Sequence, residues 1–210
     1  MNFSNRLTSI NTNSKNFLPI CLILLFVFTV LIFLRYPTLI LEPRFWAEEF
    51  IYYETFLHVE KWWEGFDALI YPAYYVGLAR LAGLLSSVVE IQNAPLVTTL
   101  FSFFFLFSPM LIIFLTDCKY WHSLQQKIIL SLFLIFSCST GEVWFTSTNL
   151  SFVMPVITFL ILLDDNIKSR AKRFIYSCYL FAATLTGPIS LIMSPFFLWR
   201  YIQGREKQVF

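Results

Sequence analysis

The sequence contains little charge for its length, which argues against a water-soluble domain. Only 13% of its 210 residues are Asp, Glu, Lys or Arg, whereas 58% are hydrophobic and 25 are phenylalanine. So few charges cannot cover that much apolar surface in water. The composition therefore predicts an all-α, polytopic helix bundle in a membrane.

Cysteine and glycine are scarce as well. The four cysteines (Cys21, Cys118, Cys138 and Cys178) include no CxxC pair or other metal-binding spacing, and the six glycines form no phosphate-binding loop. The cysteine spacing indicates packing thiols and implies no disulfide framework. The basic cluster at 168–173 is typical of a membrane-flanking segment that faces anionic lipid, so we expect no nucleic-acid partner.

Six apolar segments are predicted to be membrane helices once adjoining polar residues extend the shorter ones. They are residues 17–34, 95–116, 128–140, 150–163, 174–186 and 189–199. The first is too long for a signal-peptide core and lacks a cleavage site, which favours an uncleaved anchor. The last two belong to one run that we expect to be divided at Thr186-Gly187-Pro188, although a single kinked span is the alternative.

Residues 68–89 are long enough to cross the membrane, but the charge distribution favours an interfacial or re-entrant segment. With 68–89 outside the bilayer core, eleven of the 15 basic residues face the cytoplasm together with both termini. A crossing at 68–89 would reverse that bias. The first external loop is then 35–94, with eight acidic and four basic residues.

Adjacent carboxylates, Glu48 and Glu49, occur in this loop. Neighbouring acids beside an apolar surface repel each other and lose hydration, which raises a pKa toward the range of a general base. The pair can also bind a divalent cation such as Mg²⁺ or Mn²⁺ through oxygen ligands. The alternative is that both carboxylates only solvate an interfacial helix, for which Trp46, Phe50, Tyr53 and Leu57 supply an apolar stripe.

Other external residues are candidates for substrate binding. Arg44 and Arg80 have the geometry to bind a phosphate through two hydrogen bonds, and the alternative is contact with lipid headgroups. Trp46 and Tyr71 offer rings for stacking on a sugar, and the alternative is an aromatic belt. Glu142 and Asn149 lie in the second external loop, where they can complete a pocket.

The order of these features resembles the GT-C superfamily of membrane glycosyltransferases, and bacterial enzymes that modify surface glycans such as O-antigen in particular. Three stretches carry the resemblance. They are Phe45-Trp46-Ala47-Glu48-Glu49 with Tyr52-Tyr53, Tyr71-Pro72-Ala73-Tyr74-Tyr75 with Arg80, and Leu185-Thr186-Gly187-Pro188. The sequence departs from the family in having Glu for the usual first-loop Asp, no Lys in the Thr-Lys-Gly-Pro turn, and fewer helices.

The resemblance implies a transferase of the bacterial inner membrane. A sugar would pass from a polyprenyl-phosphate carrier to a glycan or lipid acceptor on the periplasmic side. Glu48 or Glu49 would take the catalytic carboxylate role, and Glu142 or Asn149 would assist from the second loop. The small number of helices suggests the N-terminal part of such an enzyme.

Two other functions are consistent with the same sequence. One is a non-catalytic scaffold subunit that binds a partner membrane protein in envelope polysaccharide biosynthesis. The other is a small flippase or transport component. The apolar segments carry no ionisable residue well inside them, which argues against ion-coupled transport.

Overall fold

The computed structural model describes residues 17–46, 48–68, 75–137 and 145–203, and the secondary structure within these ranges is entirely helical. The all-α fold class is thereby confirmed. The helices are α1 (Phe17–Arg35), α2 (Thr38–Leu41), α3 (Glu49–His58), α4 (Glu64–Asp67), α5 (Gly77–Ser87), α6 (Ala94–Leu115), α7 (Leu124–Ser137), α8 (Leu150–Leu162), α9 (Arg170–Thr184), α10 (Pro188–Leu191) and α11 (Ser194–Ile202).

The long helices form a bundle in which successive members run in opposite directions. Arg35, the last residue of α1, donates a hydrogen bond to the carbonyl of Ile135 near the end of α7, so α1 and α7 are parallel. In α6, Phe103 stacks on Phe145, which precedes α8. The opposite terminus of α6 lies beside α9, where the Thr116 and Tyr176 oxygens are 3.4 Å apart.

The two ends of the bundle differ in charge. We call residues 35–68, 75–94, 145–149 and 185–188 the acidic end, and residues 115–127, 162–173 and 199–203 the basic end. The basic end carries the cluster of basic side chains at 168–173. The helices therefore separate the two kinds of loop, and the candidate residues of the first loop lie at the acidic end.

A single apolar core joins α1, α6, α7, α8 and α9. Among its fully buried side chains are Phe28 of α1, Ile112 and Ile113 of α6, and Met154 and Ile157 of α8. Burial of a side chain of this size contributes about 1.5–3 kcal/mol. The core therefore fixes the positions of α6 and α8, and with them the loops at the ends of these two helices.

Helix length distinguishes α6 from the rest. It has 22 residues with a mean hydropathy of 2.2, and among the described residues it is the one helix long and apolar enough to cross a membrane. Pro19–Arg35 of α1, Leu124–Ser137 and Leu150–Leu162 are apolar but shorter. The six-span arrangement stays a prediction.

The C-terminal apolar run is interrupted. The helix α9 ends at Thr184, and α10 begins at Pro188. Between them Gly187 has a φ of 115°, a conformation that glycine adopts without steric cost. This turn lies at the acidic end, where the Leu185 carbonyl accepts a hydrogen bond from the Gly77 N–H.

Candidate functional site

The side chain of Glu49, at the acidic end, is held by the segment before α3 and by the segment before α8. Its Oε2 accepts a hydrogen bond from the Trp46 N–H at 2.9 Å. Its Oε1 accepts from the Ser147 N–H at 2.6 Å and from the Ser147 Oγ at 2.9 Å. The first contact closes the turn that leads into α3, together with the Glu49 N–H, which donates to the Trp46 carbonyl at 3.0 Å.

The Glu49 carboxylate is almost completely removed from solvent, with 1% of the residue exposed. This burial raises its pKa, and the neighbouring charge of Glu48 acts in the same direction. The hydrogen bonds from Ser147 and Trp46 oppose the effect. Because both oxygens already accept hydrogen bonds, the chemistry of Glu49 is that of an anchor between loops.

Glu48 differs from its neighbour in exposure and in partners. Its residue is half-buried, and its backbone carbonyl accepts hydrogen bonds from the first turn of α3. Within the described ranges, no other residue donates a hydrogen bond to its carboxylate. Glu48 is therefore the member of the pair whose carboxylate oxygens are not occupied by hydrogen bonds from the described residues.

Arg44 and Trp46 lie together just before α3. The Arg44 guanidinium carbon is 4.1 Å from the centroid of the Trp46 ring, a cation–π contact. Arg44 is exposed and Trp46 is half-buried. The arrangement leaves the Arg44 charge at the surface, four residues before Glu48 and five before Glu49.

Arg80 lies elsewhere, inside the contact between α5 and α4. Its Nη1 donates to the carbonyls of Gly65 and Phe66, both at 2.9 Å, and its Nη2 donates to the carbonyl of Ala68 at 2.8 Å. Arg80 is buried, and the three acceptors are carbonyls at the end of α4. The structure thus gives this residue a helix-capping role that its sequence position did not indicate.

The helix α3 is packed tightly against α5. A Cβ atom added to Gly83 of α5 would lie 2.8 Å from the Cβ and 2.9 Å from the carbonyl carbon of Tyr52. Tyr52 itself is 1% exposed. Glycine at position 83 therefore allows the backbone approach that holds α3, and with it Glu49, against the bundle.

Of the remaining predicted residues, one lies in the second loop and the others lie outside the residues that the structure describes. Asn149 is half-buried and directly precedes α8, two residues after Ser147. It therefore belongs to the same segment that binds Glu49. Tyr71 and Glu142 lie outside the described residues.

Sequence reasoning missed Ser147. It lies among threonines between two apolar runs, and nothing in the local pattern marks it as a partner of Glu49. It also missed Asp164 at the basic end, which is fully buried and accepts a hydrogen bond from the Tyr176 hydroxyl at 2.7 Å. Polar residues that flank apolar runs are general candidates for such contacts. Which residue each of them contacts depends on how the helices pack.

Metal binding has no further support among the described residues, where no group of three or more His, Cys, Asp or Glu side chains is placed to hold an ion. A site at Glu48 and Glu49 stays a prediction.

No protein-family model, curated protein or solved structure matches the chain.

Proposed function

We propose that this chain is a membrane glycosyltransferase of the GT-C type, or the N-terminal part of one. It would transfer a sugar from a polyprenyl-phosphate donor to a surface-glycan or lipid acceptor. The observation that supports this proposal is the joining of the two acidic-end loops by Glu49 and Ser147, beside the accessible carboxylate of Glu48. A transferase needs such a fixed carboxylate next to the plane where its lipid-linked donor lies.

In this proposal Glu48 is the general base. It accepts the proton of the acceptor hydroxyl while that oxygen forms a bond to the anomeric carbon of the donor sugar. The bond from the anomeric carbon to the phosphate oxygen breaks, and polyprenyl phosphate departs with the electron pair. The Arg44 guanidinium stabilises the negative charge of the departing phosphate, and the Trp46 ring packs against the sugar.

Glu49 would act as a positioning residue in the same scheme. Its buried carboxylate holds the segment around Trp46 against the loop before α8. This division of roles follows from exposure, because a carboxylate with both oxygens occupied by Ser147 and Trp46 is a poor proton acceptor for a substrate. A divalent metal, if it is used, would bind at Glu48.

The proposal also places the protein in the bacterial inner membrane, with the acidic end toward the periplasm and both termini in the cytoplasm. The alternating helix directions support this arrangement, since they collect the basic loops at one end. Basic loops are typical of the cytoplasmic side. Helices shorter than α6 would cross with the help of their polar flanks, or where the bilayer is thinned.

The experiment is sugar transfer by membranes that contain the full chain. Membranes are supplied with radiolabelled undecaprenyl-phosphate-linked glucose, and label in the surface-glycan fraction is counted. Glu48→Gln is expected to lower transfer by about 10²-fold or more, since loss of a general base has effects of that size. Glu54→Gln is the control, because Glu54 is exposed on the same helix.

Two results would count against sugar transfer by this chain. One is full activity of Glu48→Gln at normal levels in the membrane. The other is no transfer above that of membranes lacking the chain.

A scaffold subunit is the second candidate, and one observation favours it. No side chain of α11 is buried, although the helix contains Phe196, Leu198, Trp199 and Ile202. A partner membrane protein would cover these residues in a complex. This candidate predicts that Phe196→Ser and Leu198→Ser abolish co-purification of a partner while Glu48→Gln has no effect.

A further inference from the structure

A cavity of about 240 Å3 opens at the basic end of the bundle. Two cationic side chains line it, Lys119 from the loop after α6 and Arg200 from α11. They belong to segments that are distant in the sequence. The helix packing therefore brings two positive charges to one concave surface, which is an arrangement that suits an anion.

One carboxylate also lines the cavity, and its partners are defined. The Oδ1 of Asp165 is 3.6 Å from the Nη2 of Arg200, and its Oδ2 accepts a hydrogen bond from the Lys119 N–H at 3.3 Å. Arg200 also donates to the carbonyl of Asp164. These contacts balance the charge of Asp165 and fix the position of Arg200.

The Lys119 ammonium has a different environment. Among the described residues it has no ion-pair partner, and it lies 5.0 Å from the centroid of the Tyr120 ring. One positive charge of the cavity is therefore uncompensated. Exposed basic side chains at Lys168 and Arg170 add to the positive potential of this end.

The rest of the lining is apolar or aromatic. Leu162 and Leu163 of the α8 end, and Phe196 and Trp199 of α11, form this part of the wall. Further exposed apolar side chains of α11 are Leu198 and Ile202, which do not line the cavity. A ligand that combines an anionic head with apolar chains matches both parts of the surface.

We propose that this cavity binds the phosphate group of an anionic membrane phospholipid, with the acyl chains along the exposed surface of α11. The phosphate contacts the Lys119 ammonium and the Arg200 guanidinium. Basic pockets between membrane helices at the cytoplasmic side are suited to lipid headgroups. The volume is below the range of about 300–1,000 Å3 for drug-sized ligands, so it admits a headgroup and not the whole lipid. This site is independent of sugar transfer, since it lies at the opposite end of the bundle from Glu48.

The test is binding of dioctanoyl phosphatidylglycerol to the full chain in a neutral detergent. Binding is measured as the rise in the melting temperature of the protein with lipid concentration. We expect Lys119→Gln to raise the apparent dissociation constant about fivefold, because one basic residue near an anionic headgroup contributes an effect of about that size. Lys119→Arg should retain binding. Lys168→Gln is the matched control, because it removes one basic residue from the same end without touching the cavity.

Three results would overturn the assignment. Equal weakening by Lys119→Gln and Lys168→Gln would mean attraction to the basic end as a whole. Equal stabilisation by dioctanoyl phosphatidylcholine would remove the preference for an anionic headgroup. Equal binding of glycerol 3-phosphate would assign the cavity to a soluble phosphate. Folding of Lys119→Gln is checked by its melting temperature without lipid, which should equal that of the unaltered chain.

Discussion

The Glu49 carboxylate accepts hydrogen bonds from both the N–H and the hydroxyl of Ser147, a residue 98 positions later in the chain. This contact joins the first residue of α3 to the segment before α8. It is buried, so water does not replace it easily. The geometry of the candidate site at Glu48 therefore depends on a contact between two loops that the sequence keeps far apart.

Removing the Ser147 hydroxyl should destabilise the folded chain. Ser147→Ala leaves the Glu49 carboxylate with one hydrogen bond fewer in a buried site, and hydrogen bonds to charged groups contribute about 1.5–3 kcal/mol. We expect a lower free energy of unfolding, measured by denaturant titration in detergent micelles. Ser151→Ala is the control, because the Ser151 hydroxyl reaches only the nearby Thr148 carbonyl. Equal stability of the two variants would mean that the contact between loops contributes little.

The stability should also depend on pH through Glu49. Burial raises its pKa from the ordinary value of 4.5, so the folded state binds this proton more tightly than the unfolded state. The resulting stabilisation is complete below pH 4.5 and is lost as the pH rises through the pKa of the folded state. We therefore compare the melting temperatures of the unaltered chain and of Glu49→Gln. The unaltered chain's value minus the variant's value should fall as the pH rises from 4.5 through the pKa of Glu49 in the folded state. A difference that increases with pH would show that the folded site favours the ionised carboxylate.

Replacement of Arg80 by lysine should be costly, although the charge is retained. The guanidinium donates to three carbonyls at the end of α4, and a single ammonium cannot reach all three with the same geometry. We expect Arg80→Lys to lower the free energy of unfolding by about 1–3 kcal/mol, the usual cost of buried polar groups left without partners. Arg44→Lys, at an exposed position, should change it much less. If Arg80→Lys lost phosphate-donor binding with unchanged stability, the capping role would be wrong.

Asp164 at the basic end should be more important for stability than the adjacent Asp165. Asp164 is fully buried, forms an ion pair with Lys172 and accepts a hydrogen bond from Tyr176. Loss of one partner of a buried ion pair costs about 3–5 kcal/mol. We expect Asp164→Asn to reduce the melting temperature strongly and Asp165→Asn to reduce it slightly, since Asp165 is exposed. Similar melting temperatures for the two variants would contradict the importance of burial.

The helical class and the division of the C-terminal run followed from local patterns. The apolar segments at 95–116 and 150–163 correspond to α6 and α8 within one residue, because an uninterrupted apolar run leaves the backbone little choice but a helix. The Gly187-Pro188 pair marked a break for an equally local reason, which is the missing N–H of proline. The spacing of Phe50, Tyr53 and Leu57 indicated α3, but the helix begins at Glu49 and leaves Trp46 of the predicted stripe outside it.

The sequence alone determined that this chain is helical and apolar, and that its acidic residues are concentrated in the first loop. Tertiary structure decided which of the two glutamates is buried, since the burial of Glu49 involves Ser147 from the segment before α8. It also decided that Arg80 caps α4 and that Lys119 and Arg200 share a cavity. Local propensities act over a few residues, whereas these roles depend on contacts between segments separated by tens of residues, which only the packing of the helices brings together.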